Sequence, residues 1–197
     1  MKPNTIEKMK QVGIVSYQLR DKNGNLKPLF QENALFRFLL KKNLISPFVS
    51  NSSLFKNFSF LFGSFVFTKT INNLIVTAGK ALIVQRLGNI GAPNAITHIA
   101  VGTGVTAPAA GDTALGTELA TSGLSRAAAT VTNITTTTTN DTMQAQVTFT
   151  ASGSAAVTES GLFNAASVGT MLSRQTFSAV NVVSGDTLQV TWKIQAQ

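Results

Sequence analysis

The chain has 197 residues and no cysteine, so it is long enough for one domain with a sizeable core but excludes disulfides and thiolate metal sites. Its formal net charge of +8 would suit a nucleic-acid-binding protein, yet the excess lies in the first third of the chain, and residues 72–197 sum to zero. We also find no pattern of exposed aromatics on which bases could stack, so we expect no nucleic-acid partner.

The first 33 residues predict a β-hairpin. Residues 1–10 lack an apolar run of signal-peptide length, so we expect no secretion signal. Residues 12–20 are typical of a strand, and Asp21-Lys22-Asn23-Gly24 is a turn sequence after which residues 26–30 would return. Pro28 cannot donate a ladder hydrogen bond, which favours an edge position for the returning strand.

Residues 34–71 differ in composition from the rest of the chain. They hold nine of the thirteen phenylalanines and five basic residues without an acidic one. We interpret them as an insertion between an N-terminal hairpin, residues 1–33, and a main domain, residues 72–197. Inside the insertion, residues 34–42 would form a short basic helix, and residues 58–67 a hairpin turning at Gly63-Ser64.

The insertion is a candidate assembly element, because bare phenylalanines would aggregate unless they pack against the domain or a neighbouring subunit. Its longest apolar part, residues 54–67, includes Lys56 and is shorter than the roughly 20 residues of a membrane span. Contact with a membrane surface is therefore the weaker alternative. The residues proposed for an assembly interface are Phe36, Phe38, Phe58, Phe60, Phe62, Phe65 and Phe67.

The middle of the chain predicts one short helix followed by strands. Thr77 would cap a helix over residues 78–87 that ends at Gly88. We expect a short buried strand at 96–101, a loop at 102–111 and a helical turn at 114–119. Two strands, 127–139 and 143–151, would be joined around Asn140-Asp141.

The last forty residues predict an antiparallel three-stranded meander with the only tryptophan as its anchor. In residues 188–195, apolar and polar side chains alternate, which puts one face on a core and the other in water. Ser184-Gly185-Asp186 supplies the preceding turn. The fold class is therefore mainly β: an antiparallel β-sandwich or jelly-roll-like domain with one short helix and the Phe-rich insertion. The expected core residues are Phe149, Leu162, Phe163, Phe177, Leu188, Val190, Trp192 and Ile194.

Motifs that could carry chemistry have simpler structural explanations. Gly102-Thr103-Gly104 follows a strand as in a dinucleotide site, but Pro108 and small residues stand where the phosphate-binding helix should begin. Asp21, Asn23, Asn25 and Glu32 have calcium-loop spacing, but Leu26 occupies the position that requires glycine. His98 is the only histidine and cannot build a zinc site alone.

We accordingly expect no catalytic, metal or cofactor site and no enzymatic activity. The eight carboxylates are scattered along the chain, and no pair lies close in sequence on one face. Glu159 and Arg174 fall on adjacent predicted strands, and we interpret them as a structural cross-strand ion pair.

Several pieces of the chain, in this order, resemble small β-rich proteins of tailed bacteriophages that are described as tail-fibre-like or virion structural proteins. The resemblance covers about residues 72–197 and, more weakly, residues 13–33. In such proteins the hairpin runs almost directly into the segment at Asn73, so residues 34–71 are a departure. The pieces are Asn73-Leu74-Ile75-Val76-Thr77-Ala78-Gly79-Lys80, Ile99-Ala100-Val101-Gly102-Thr103-Gly104, Gly111-Asp112-Thr113-Ala114-Leu115, Glu118-Leu119, Glu159-Ser160-Gly161-Leu162-Phe163-Asn164, Gly169-Thr170-Met171-Leu172-Ser173-Arg174, Phe177 and Gly185-Asp186-Thr187-Leu188-Gln189-Val190-Thr191-Trp192.

The resemblance implies a virion part made in the host cytoplasm, such as a tail-fibre, baseplate, collar or capsid-decoration component. Its partners would be further copies of itself, a trimer being one arrangement, and other virion proteins. The alternative is a glycan-binding host-attachment module on the same fold, and a membrane-active protein using residues 34–71 is a third and weaker reading.

Overall fold

The computed structural model describes residues 11–32 and 63–197. These residues form antiparallel sheets packed together as a β-sandwich with one helix, α1, at Thr77–Gly88, which confirms the predicted fold class. The strands are β1 (Gln11–Arg20), β2 (Leu26–Lys27), β3 (Leu29–Glu32), β4 (Gly63–Val66), β5 (Lys69–Asn72), β6 (Leu74–Ile75), β7 (His98–Gly102), β8 (Ala127–Ala128), β9 (Thr130–Ile134), β10 (Thr142–Thr150), β11 (Ala155–Phe163), β12 (Met171–Val182) and β13 (Thr187–Ala196).

Two large sheets form the sandwich. Sheet I has the order β2-β1-β13-β10-β9, with β5 also paired to β1 on the side of β2. Sheet II has the order β6-β12-β11-β7-β8, and β3 and β4 form a separate two-stranded ribbon. The connections from β10 to β11 and from β12 to β13 both change sheet, so strands adjacent in sequence are divided between the layers.

The predicted C-terminal meander is wrong in its third strand. β11 and β12 pair with each other in sheet II as expected, but β13 lies in sheet I between β1 and β10. The turn at Ser184-Gly185-Asp186 therefore carries the chain across the sandwich instead of back along one sheet. The alternation of apolar and polar side chains along β13 indicates that one face of the strand is buried. It does not indicate which strands lie beside β13.

The main core lies between the two sheets. Of the residues expected there, Leu162, Leu188, Val190 and Trp192 are almost completely buried, as is Phe149. Two further expected core residues, Phe177 and Ile194, are only half-buried and pack at the margin. Phe177 stacks on Tyr17 with ring centroids 4.4 Å apart, so it closes the edge of the core instead of filling its centre.

A second, smaller cluster covers the opposite face of sheet II. Side chains alternate along β7, so Ile99 and Val101 face the main core while Ala100 faces away from it. The eighth expected core residue, Phe163, packs in this second cluster. The chain between β7 and β8 lies over this face, which makes it a third layer of the domain.

Helix α1 is anchored to sheet II by a glycine. Val76 occupies the N-cap position without a side-chain cap hydrogen bond, so the predicted capping role of Thr77 is wrong. The backbone N–H of Val76 donates instead to the Leu172 carbonyl at 3.1 Å. A Cβ on Gly79 would lie 2.1 Å from that same Leu172 oxygen, so only glycine allows the helix to approach this closely.

The C-terminal end of the predicted insertion is β-structure that pairs with the first strands of the chain. Gly63-Ser64 belong to strand β4 and not to a hairpin turn, and β4 pairs with β3. β5 pairs with residues 14–17 of β1, so residues 63–71 are part of the β-structure. Glu32 and Gly63 are register partners, and the chain thus leaves and returns at neighbouring points. The helix predicted at 34–42 and the strand predicted at 58–62 lie outside the described residues.

Two other predicted elements differ from the structure. Residues 114–119 form no helical turn, and Glu118 instead makes a β-bridge with Gly102. The strand predicted at 127–139 is divided into β8 in sheet II and β9 in sheet I, and it ends at Ile134. It ends there because the Asp141 carboxylate accepts the backbone N–H groups of residues 136–138, which folds the threonine run into a turn.

Candidate functional site

A carboxylate with no solvent exposure lies at the junction of sheet II and the third layer. Glu159 on β11 is 0 % exposed. Its Oε1 accepts hydrogen bonds from the backbone N–H groups of Gly104 at 2.9 Å and Thr117 at 2.7 Å. Its Oε2 accepts the N–H of Gly116 at 3.0 Å. Three separate backbone groups of one loop layer therefore converge on a single side chain.

Arg174 on β12 completes this network. The two side chains predicted to pair are in direct contact, with Nη2 of Arg174 2.8 Å from Oε2 of Glu159. Arg174 also donates from Nη1 to Oδ2 of Asp112 at 2.7 Å and from Nη2 to the Thr106 carbonyl at 3.1 Å. The guanidinium is thus shared by one fully buried carboxylate, one partly exposed carboxylate and one loop carbonyl.

The network holds both carboxylates ionised. Burial alone would raise the pKa of Glu159, but the N–H groups of Thr117 and Gly116 and the Arg174 guanidinium outweigh burial, so its pKa lies below the ordinary value. The pKa of Asp112 is also lowered, first by the backbone N–H of Ala109 and then by Arg174. A buried charge costs several kcal/mol unless it is paired, and here each charge is paired.

The glycine motif between strand β7 and the loop is explained by this carboxylate. A Cβ on Gly104 would lie 2.4 Å from Oε1 of Glu159, and one on Gly102 would lie 2.4 Å from the Thr117 carbonyl. The glycines therefore allow the loop backbone to close over Glu159. The N–H group of Gly104 binds a carboxylate of the protein itself and is not free to bind a phosphate.

A second anchor holds the end of the same loop layer. Arg126 makes a bidentate pair with Glu118, at 2.9 and 2.7 Å, and donates to the carbonyls of Ala165 and Val168. Its guanidinium carbon also lies 3.7 Å from the centre of the Phe163 ring. The loop is therefore fixed at both ends by arginines that contact sheet II or its turn.

Sequence reasoning identified Glu159 and Arg174 but missed Asp112 and the backbone donors. Asp112 lies 62 positions from Arg174, and no periodic pattern links them. The sequence did mark Asp112, because Gly111-Asp112-Thr113 is one of the segments that resemble the virion proteins. It did not indicate what Asp112 contacts.

A hydrogen bond joins the tryptophan of sheet I to Ser160, the residue that follows Glu159 on β11 of sheet II. Trp192 Nε1 donates to Ser160 Oγ at 3.1 Å, and Ser160 Oγ donates to the Ala100 carbonyl at 2.9 Å. Trp192 belongs to sheet I and Ser160 to sheet II, so this hydrogen bond crosses the core. It satisfies the indole N–H, which a buried tryptophan requires.

The remaining chemical candidates have local partners. Asp21 accepts the N–H groups of Asn23 and Asn25 within its own turn, which holds its pKa below the ordinary value. His98 is half-buried with Nδ1 2.8 Å from Thr97 Oγ1. Within residues 11–32 and 63–197, no three histidine, aspartate or glutamate side chains are grouped so that they could hold a metal ion.

Of the proposed interface phenylalanines, one has a described side chain. Phe67 is 54 % exposed, just after β4. Phe65 lies in β4 opposite Phe30. The other proposed residues, Phe36, Phe38, Phe58, Phe60 and Phe62, lie outside the described residues, so their interface role stays a prediction.

An apolar groove opens between helix α1 and the β9 end of sheet I. Its volume is about 400 Å³, and its only charged lining residues are Arg86 and Asp141. Of its lining residues, Leu87 is 74 % exposed and Val131 is 40 % exposed. The side chains that line it are Leu82, Ile83, Arg86, Leu87, Ala95, Ile96, Val131, Asn133, Asn140, Asp141, Met143, Leu172, Ile194 and Ala196.

The helix in the described part of the chain is too short and too polar to cross a membrane. No known protein family, curated protein or solved structure matches the chain.

Proposed function

We propose that this protein is a non-enzymatic structural component of a bacteriophage virion, made in the host cytoplasm and acting through contacts between β-rich surfaces. The observation that carries the proposal is the spatial convergence of the sequence pieces that resemble virion proteins. They are separated along the chain, yet Gly104, Asp112, Glu159 and Arg174 meet in one buried network.

The charged side chains of the domain that bind each other or the backbone support an architectural role. A carboxylate needed for acid–base catalysis must reach a substrate, whereas Glu159 has no exposed surface and its oxygens are occupied by internal donors. Arg126 and Glu118 bind each other, and Lys27 binds Asp186 at 2.6 Å. These groups hold loops to sheets, as a rigid building block requires.

The described surface gives less support to the glycan-binding alternative. Protein sites for sugars commonly combine exposed aromatic rings with polar groups. Among the side chains that the structure describes, Phe67 is the only aromatic one that is exposed, since the others are buried or half-buried. The structural role is therefore better supported than glycan binding.

The test is to locate the protein in particles. Phage particles purified from cultures that produce the chain would be analysed by mass spectrometry and by immunogold electron microscopy with an antibody raised against residues 63–197. We expect a fixed copy number per particle and gold labelling at one substructure. Recovery of the chain only in the particle-free supernatant, with an equally abundant host protein as the contamination control, would exclude the virion role.

A further inference from the structure

Strand β9 forms an open edge of sheet I. It pairs with β10 on one side, and no described residue pairs with its other side. Four of its five residues are exposed, and Ile134 is half-buried. An edge of this kind presents backbone N–H and C=O groups that can pair with another strand.

This edge lacks the features that normally prevent edge-to-edge pairing. Residues 127–140 contain no charged residue, no proline and no glycine. At the opposite end of the same sheet, the edge strands are interrupted after β2 by Pro28 and contain Lys27 and Lys69. The edge strands of sheet II, β6 and β8, have only two residues each. β9 is thus the longest and least protected edge among the described strands of the two large sheets.

The apolar groove lies directly beside this edge. Val131 and Asn133 of β9 line it, as do Met143 and Ile194 on the next two strands of the sheet. An added strand would extend the sheet across the mouth of the groove and bury the exposed part of Val131. Hydrogen bonding along the edge and apolar burial next to it would therefore act together.

We propose that the β9 edge binds β9 of a second copy of this chain, antiparallel and centred on Thr132. A two-fold contact places the same strand on both sides, and an uncharged strand brings no like charges together. The groove's two charges, Arg86 and Asp141, have opposite signs, so two copies can also face each other without net repulsion. Centring on Thr132 pairs all five residues of β9, with Val131 opposite Asn133 of the second copy.

A contact of this size should be weak in dilute solution. Stable interfaces bury about 1,200–2,000 Å², more than a five-residue edge provides. The contact would gain strength where copies are held together in an assembly. The β9 contact therefore deepens the proposed function. It rests on that function only for its role inside an assembly.

Because the chain has no cysteine, a single introduced thiol tests the contact without background. Directly opposed residues of antiparallel strands have Cα atoms about 4.5–5.5 Å apart, within the range of a disulfide. We expect the full-length Thr132→Cys variant to form disulfide-linked dimers under mild oxidation about tenfold faster than Thr148→Cys, a difference of about 1.4 kcal/mol.

Thr148 is the matched control because it is exposed, lies in the same sheet and faces the same side as Thr132, but belongs to β10, beyond the residues that pair with β9, and so lies outside the proposed contact. Equal dimerisation rates for the two variants, with both melting like the parent chain, would overturn the β9 contact. A second arm measures hydrogen exchange of residues 130–134 at low and high protein concentration, and protection that rises with concentration is expected. That result is independent of the particle test, so failure here would leave the virion proposal to be judged by immunogold labelling.

Discussion

At the scale of single residues, three consecutive positions of β11 hold three layers together. The Glu159 side chain faces the loop layer and binds its N–H groups, while Ser160 faces the core and accepts the Trp192 indole. At Gly161 a Cβ would lie 2.9 Å from Leu115, so glycine leaves room for the loop side chain that packs there. Glu159 and Gly161 therefore serve the loop layer and Ser160 serves the core, because successive side chains of a strand point to opposite faces.

Replacing the buried carboxylate of Glu159 should lower the stability of the protein far more than replacing the partly exposed carboxylate of Asp112. Glu159→Gln removes the charge that neutralises Arg174 and removes acceptor capacity for the loop N–H groups, so we expect a loss of about 3–5 kcal/mol in the free energy of unfolding. Asp112→Asn changes a partly exposed partner of the same guanidinium and should cost about 1 kcal/mol or less. Urea unfolding followed by Trp192 fluorescence measures both. Similar losses in the two variants would contradict the buried anchor.

At the scale of elements, helix α1 depends on its contact with β12 and not on a cap or a broad apolar face. Gly79 and Leu82 are its buried residues and Ile83 is half-buried, whereas Ala81 and Leu87 are exposed. Residues of its second half, from the buried Leu82 to the exposed Leu87, form one wall of the groove. The helix is therefore positioned by one close backbone contact at its N-terminal turn.

Whether Gly79→Ala raises or lowers the stability of the protein tests this packing. In a helix that is free of neighbours, alanine in place of glycine stabilises by about 1 kcal/mol. Here the added methyl would collide with the Leu172 carbonyl oxygen, so we expect a net loss of about 1–3 kcal/mol. Gly111→Ala is the control, since no atom lies within 4 Å of its Cβ position. A stabilised Gly79→Ala variant in thermal melts would show that α1 does not rest on β12.

The boundaries of the insertion can be tested by two deletions. Removing residues 33–62 and joining Glu32 to Gly63 through Asn-Gly should leave a folded protein, because these two residues are already hydrogen-bond-register partners and a two-residue turn suits such a pair. Removing residues 34–71 also deletes β4 and all of β5 except Asn72, including the buried Lys69 that donates to Ser178 Oγ.

The longer deletion should therefore give an insoluble or much less stable protein, as judged by circular dichroism melts beside the parent chain. If the shorter deletion is equally unstable, residues 33–62 contribute to the core. If it is folded but associates less with its partners, the assembly role predicted for the phenylalanines is supported.

At the scale of the whole molecule, ionised carboxylates stabilise loops on several sides of the sandwich. Glu159 and Asp112 hold the layer over sheet II, and Asp141 holds the turn between β9 and β10. The pKa of Asp141 is lowered, first by the N–H of Thr138 and further by those of Thr136 and Thr137. These groups are thus charged in the folded protein at pH values where the unfolded chain is already taking up protons.

Acid should therefore destabilise the protein in a defined range. Since the pKa values of these carboxyls are lower in the folded than in the unfolded state, their stabilisation is complete above their ordinary values of 4.5 for Glu and 3.8 for Asp. It is lost progressively as the pH falls through and below these values. Urea midpoints at pH 7, 5, 4 and 3 measure the loss, which should be smaller in Glu159→Gln. A midpoint unchanged from neutral pH to pH 3 would contradict these assignments.

Local patterns were sufficient for much of the secondary structure. Alternation in residues 143–151 and 188–195 predicted β10 and β13, the turn residues at 21–24 predicted the N-terminal hairpin, and Gly88 marked the end of α1. The contact between Glu159 and Arg174 was also accessible, because a short turn makes β11 and β12 neighbours. Each of these features depends on residues that are close in sequence.

The sequence by itself thus determined that the chain is an antiparallel β-protein with one short helix and a buried tryptophan strand. Only the tertiary structure decided that β13 crosses to sheet I, that the loop N–H groups converge on Glu159, and that no described strand pairs with the outer side of β9. The physical reason is that alternation of apolar and polar side chains depends on which face of a strand is buried. The same alternation results whichever strand lies alongside. Partners far apart in the chain, such as Asp112 and Arg174, meet only when loops and sheets have packed.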